Sequence, residues 1–217
     1  MIFLAGSDYF IKENSVVLIT SCMHANSSFS SEERYKQTME SINSIRQYLP
    51  ESKIVLIEMS KLKDEWKNNI NELCDYMIDC SLHSEIQKIN ECKVKSAGES
   101  ALLKEALSHI DTNILYKLSG RYMLYKTPNF VKDKINFKAN IERSVYHTTL
   151  YFVPRNHFTY MIDVVTLSQE KILQLYNLGY WYDIEHCFFD FIDIEKVNII
   201  EDIGVLGYES SGNFYKA

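Results

Sequence analysis

Two short polar stretches of this 217-residue chain concentrate the groups best suited to hold an anion. In residues 114–122, ILYKLSGRY, an apolar run leads straight into Lys117, Ser119, Gly120, Arg121 and Tyr122. Arg121 can fork onto two phosphate oxygens, and Lys117 can add a point charge, so the two can stabilise a leaving diphosphate without a metal. Upstream, residues 93–99, KVKSAGE, set Lys95 and Glu99 one turn apart at the mouth of an expected helix, where free N–H groups favour an anion. Each residue also has a structural reading. Arg121 can pair with a structural carboxylate, Lys117 can lay its stem along a sheet edge, and Glu99 can close a capping box with Ser96.

Further along, WYDIEHCFF (181–189) supplies Asp183, Glu185 and His186, carboxylates and an imidazole able to deprotonate an acceptor hydroxyl. Tyr180, Trp181 and Tyr182 beside them can form a platform for a sugar ring, although three consecutive aromatics cannot face one way and at least one should pack in the core. Thr20 and Ser21 close the first expected strand and Glu58 the second, so they fall where a nucleoside can be read at adjacent strand ends, unless they are merely solvated. Cys22 and His24 make only a two-ligand CxH, too few for zinc, and the other histidines show no ligand spacing. No metal site is expected.

The elements that must position these groups alternate. Residues 15–22, SVVLITSC, are an apolar β-branched run expected as a buried strand. Ser30 and Glu33 spell a capping box opening a helix whose Tyr35, Met39, Ile42, Ile45 and Leu49 share one face until Pro50. KIVLIE (53–58) is the next strand, giving a parallel crossover unit. Helices are expected over 64–73, from Ser96, over 168–178 and over 183–191, and strands over 75–80, 113–118 and 145–153. Residues 129–143 look charged and weakly periodic, an irregular excursion, and the tail from Gly204 is expected to run over the surface.

The length fits a single domain, 1–217, with a full core. With 23 basic and 29 acidic residues and a net charge of -6, sequence-independent nucleic-acid binding is not expected, since it needs clustered Lys and Arg, although a local basic patch stays open. Five cysteines without a CxxC pair point to reduced thiols and a cytoplasmic setting. The opening lacks a basic region before its short apolar run, and no run reaches membrane-span length, so any membrane association is expected to be peripheral.

The runs SFSSEERYKQTMESINSIRQYLPESKIVLIE, KSAGE, KLSGRY, GYWYDIEHCFF and GVLGY, in this order, resemble small GT-A glycosyltransferase-like proteins of polysaccharide-synthesis loci and large DNA viruses. The resemblance implies an α/β, Rossmann-like, mostly parallel sheet flanked by helices. It further implies a nucleotide-diphosphate sugar as donor and a glycan or other hydroxyl acceptor as partners. Thr20, Ser21, Glu58, Lys95, Glu99, Lys117, Ser119 and Arg121 are then the donor-site candidates, and Asp183, Glu185 and His186 the catalytic ones. Two departures stand out. SGRY replaces the acidic DxD with which many GT-A enzymes hold a divalent cation, and Ala25, Asn26 and Ser27 stand where the resembling proteins often carry an Arg. A non-catalytic nucleotide-sugar or glycan-binding module is the competing class, and a nucleotidyltransferase the third, lacking the clustered carboxylates it needs.

Overall fold

Val16, Val17, Leu18 and Ile19 are all at most 1% exposed, which requires a strand covered on both faces and explains why this run is continuously apolar. They belong to β2 (Ile11–Ser21) in a computed structural model that describes residues 2–4 as backbone and 10–24, 28–92, 94–209 and 212–217 in full. Residues 25–27 and Lys93, named above, lie outside the described residues. Before β2 comes β1 (Ile2–Leu4); after it come α1 (Ser31–Tyr48), β3 (Lys53–Glu58), α2 (Asp64–Leu73), β4 (Tyr76–Asp79), α3 (Ser84–Glu91) and α4 (Lys95–His109). The second half runs β5 (Ile110–Ser119), β6 (Tyr122–Leu124), β7 (Ile135–Asn140), β8 (Val145–Pro154), α5 (Phe158–Asn177), α6 (Ile184–Phe191), β9 (Val197–Ile199), β10 (Val205–Tyr208) and β11 (Phe214–Lys216).

Eight strands form one sheet in the order β1-β4-β3-β2-β5-β8-β7-β9, parallel except where β8 runs against β5 and β7. Alternate residues of the central strands feed two cores. Val17, Ile19, Ile54 and Leu56 meet Ile42 and Ile45 of α1 and Trp66 and Ile70 of α2. Val16, Leu18, Val55 and Ile57 share the other core with α4, α5 and α6. A second, three-stranded sheet, β11-β10-β6, carries the turn that follows β5.

Four expectations need correction. Residues 129–143 are not all irregular: β7 lies there, with Ile135 and Phe137 fully buried, an alternation masked by Lys132, Asp133, Lys134 and Lys138. The tail from Gly204 is not a surface run, since β10 and β11 pair and Val205 is buried. α5 starts at Phe158 rather than Ser168; its first turns bury Met161, Val164 and Val165 at helical spacing in a stretch rich in β-branched residues. The capping box at Ser96 does not form, because α4 begins at Lys95 with no side-chain cap. The one at Ser30 and Glu33 does.

Candidate active site

A cavity of about 750 Å3 opens at the carboxyl ends of β2 and β5, a size typical of small-molecule sites. These strands are neighbours, with Thr20 beside Ser119, yet the chain leaves β2 toward β3 on one side and returns to β5 on the other. That is a topological switch point, where the loops diverge and leave a crevice. Thr20, Ser21, Ser119 and Gly120 line its floor. Arg34 and Thr38 of α1, one turn apart, form one wall. Lys95, Gly98, Glu99 and Leu102 of α4, at helical spacing, form the other, and Trp181 lines it too, 63% exposed.

The turn after β5 is locked from several directions. Gly120 donates its N–H to the Thr20 carbonyl at 3.0 Å, Thr38 Oγ1 donates to the Gly120 carbonyl at 3.1 Å, and Ser41 Oγ donates to the Tyr122 carbonyl at 2.6 Å. A side chain at Gly207 of β10 would put its Cβ 2.4 Å from the Arg121 carbonyl oxygen, so glycine there lets β10 cross directly against this turn. Arg121 is thereby held on a fixed backbone. Its Nη1 is enclosed with no hydrogen-bond partner among the described residues.

Among the described residues, three cations line the cavity: Arg34, Lys95 and Arg121. Burial, then repulsion from Arg121 and Arg34, pulls the Lys95 ammonium below its ordinary pKa; burial and Arg121 do the same to Arg34. Cations gathered this closely raise the local positive potential, which favours a bound anion. Glu99 is the one carboxylate among the described cavity-lining residues and is already bound to Lys117, and no group of three or more His, Cys, Asp or Glu among the described residues can hold a metal ion.

Behind the α4 wall lies a polar network. Lys117, 0% exposed, donates to Glu99 Oε1, to Ser119 Oγ at 2.8 Å and to the Thr148 carbonyl at 2.7 Å. Thr148 Oγ1 donates to Glu185 Oε1 at 2.8 Å. Burial first, and the Glu99 charge second, push the Glu185 carboxyl above its usual range.

Among the sequence candidates, Thr20, Ser21, Lys95, Glu99, Ser119 and Arg121 line the cavity together. Lys117 is not a sheet-edge lysine and is not among the described residues lining the cavity; it lies wholly inside, bonded to Glu99. Glu58 also lies inside, fully buried, accepting from the backbone N–H groups of Met23 at 3.1 Å and Ser60 at 2.7 Å, so it shapes the turn after β3 rather than facing a nucleoside. Asp183 accepts from Ser96 Oγ at 3.2 Å, tying the start of α6 to the start of α4. Glu185 joins the network behind the cavity. His186 packs its ring 5.4 Å from that of Tyr182, and its Nδ1 is buried without a hydrogen-bond partner among the described residues. Arg34 was not among the candidates. Its signal was legible as a guanidinium in the first turn of a capped helix directly after a strand, where helix N-termini gather anions. Thr38 carried no such signal.

The sheet order, with its antiparallel β8 beside β5, and the helices on both faces make this a GT-A-type α/β fold. The chain superposes on glycosyltransferase GlyE of Streptococcus pneumoniae TIGR4 with a TM-score of 0.51 at 10% identity, covering 87% of this chain and 45% of that one. Mouse xyloside xylosyltransferase 1 in its apo form gives 0.49 at 8% identity, covering 88% and 85%. The chain thus spans less than half the length of GlyE. At these identities the likeness is one of fold. No family model and no curated protein matches the sequence.

Proposed function

We propose that this chain is a nucleotide-sugar-dependent glycosyltransferase, a single GT-A-like unit over 1–217, that moves a sugar from a nucleoside diphosphate onto a glycan or other hydroxyl acceptor. The observation that carries the reading is the convergence of Arg34, Lys95 and Arg121 on a nucleotide-sized cavity at the strand switch point, with Arg121 Nη1 enclosed and without a hydrogen-bond partner among the described residues. Cations fixed in that arrangement bind a diphosphate and take up the negative charge that grows on it as the glycosidic bond breaks. A free, flexible lysine pair would have to reorganise to do so; here the turn geometry is already in place. A cytoplasmic setting, with at most peripheral membrane contact, belongs to the proposal. Among the described residues no helix is long and apolar enough to cross a membrane.

The test is a thermal-shift panel of nucleoside diphosphates and nucleotide sugars run in EDTA and again with manganese. Ligands that bind only the native state raise the apparent melting temperature by mass action, about 2.7 kcal/mol at a hundredfold excess over Kd. At least one nucleoside diphosphate should stabilise the protein, and EDTA should leave that shift unchanged because cations replace the metal. Stabilisation that vanishes in EDTA and returns with manganese refutes the metal-free part of the reading.

A further inference from the structure

Among the described residues, the cavity presents three cations and one anion, and the anion is firmly anchored. Lys117 lies on β5 between Leu18 of β2 and Tyr151 of β8, 0% exposed, and spends its three protons on Thr148 O, Ser119 Oγ and Glu99 Oε1. Stability alone does not call for such a pair, since buried ion pairs can often be replaced by apolar residues of similar volume without loss. What the pair does achieve is to fix the direction of a carboxylate whose side chain remains 26% exposed and lines the cavity. Capping does not explain Glu99 either, because no side-chain cap forms at the start of α4.

Its position is equally informative. Met59, just after β3, and Asn90 of α3 line the cavity on the side of β2 away from β5. The cations come next, on α1, on α4 and after β5. Glu99, one turn after Lys95 on α4, is anchored through Lys117 to Thr148 of β8, the strand on the far side of β5. With the diphosphate on the cations and the nucleoside toward β3, the group attached to the distal phosphate falls against Glu99. An ionised carboxylate only accepts hydrogen bonds, so it pairs with hydroxyl groups and repels another carboxylate.

We infer that Glu99, held by Lys117, accepts hydrogen bonds from hydroxyls of the donor sugar, and that the donor sugar is an uncharged polyhydroxy sugar rather than a uronic acid. The inference rests on the reading of the cavity as a nucleotide-sugar site. It deepens that reading by naming the sugar class and the residue that selects it.

Calorimetry with UDP, UDP-glucose and UDP-glucuronate, or the same three forms of whichever nucleoside diphosphate binds best, tests it. Glu99→Gln alone strands a buried ammonium and can unfold the chain, so the decisive variant is the double Glu99→Gln, Lys117→Met, which removes both charges together. The parent should bind the glucose conjugate about tenfold or more tighter than the glucuronate conjugate. The double variant should bind the bare diphosphate within about twofold of the parent and lose the preference between the two sugars. A preference that survives in the double variant overturns the inference, as does a parent that favours glucuronate or a double variant that loses bare-diphosphate affinity as strongly as conjugate affinity. Absence of any diphosphate binding by the parent is a different failure, because it removes the nucleotide-sugar reading and the inference with it.

Discussion

Arg121→Ala is expected to weaken nucleoside-diphosphate binding roughly tenfold to a hundredfold, the loss of one charge-assisted hydrogen bond of about 1.5–3 kcal/mol. The fold should not suffer. The Arg121 Nη1 makes no hydrogen bond among the described residues, and removing the charge relieves Arg34 and Lys95, both of which it depresses. Calorimetry and a melting curve on the same preparation therefore separate the account from its structural competitor. If Arg121 served mainly to pair with a structural carboxylate, the melting temperature would fall and diphosphate affinity would not. Unchanged affinity removes Arg121 from the site.

The second large effect concerns acceptor activation, which we propose for Glu185, the carboxylate of the network behind the cavity. Glu185→Gln should cut the transfer rate by roughly a hundredfold or more with donor affinity preserved, since an amide still accepts the Thr148 hydroxyl proton but cannot take up the acceptor's. His186→Ala should stay near the parent rate, because its ring lies against Tyr182 and, among the described residues, it takes no part in the network of Lys117, Glu99, Thr148 and Glu185. The pH profile adds a signature. A base works ionised, and burial with the Glu99 charge raises the Glu185 pKa. The rate should thus fall as pH drops through a value above the ordinary glutamate pKa of about 4.3. Parent-like rates in Glu185→Gln place the base elsewhere, and a profile whose acid limb is unmoved does the same.

How much of this was legible beforehand follows from where each signal resides. Local signals carried well: the continuous apolar β2, the Ser30–Glu33 capping box and the strand-to-loop change at Ser119 all depend on neighbours in sequence. The cavity residues at strand ends were readable for the same reason, since strand ends are where an open sheet exposes polar groups. What failed were roles fixed by distant partners. Ser96 and Glu99 have capping-box spacing, but Lys117, far along the chain, takes the glutamate and Asp183 takes the serine. Glu58 has the look of a strand-end ligand, and only the fold of residues Met23 and Ser60 around it reveals that it is sealed. β7 was hidden because its charged neighbours masked an alternation that only the pairing with β8 discloses. Tertiary contacts override local preference at these positions.

The most direct measurement of the central claim is release of nucleoside diphosphate from the nucleotide sugar that stabilises the protein best, followed over time in EDTA with a hydroxyl acceptor present. The account predicts many turnovers per protein molecule, sharply reduced in Arg121→Ala and in Glu185→Gln. Tight binding of that nucleotide sugar with no diphosphate released above the uncatalysed rate, across a broad set of glycan acceptors and with manganese restored, would contradict it and identify the chain as a binding module on the same fold.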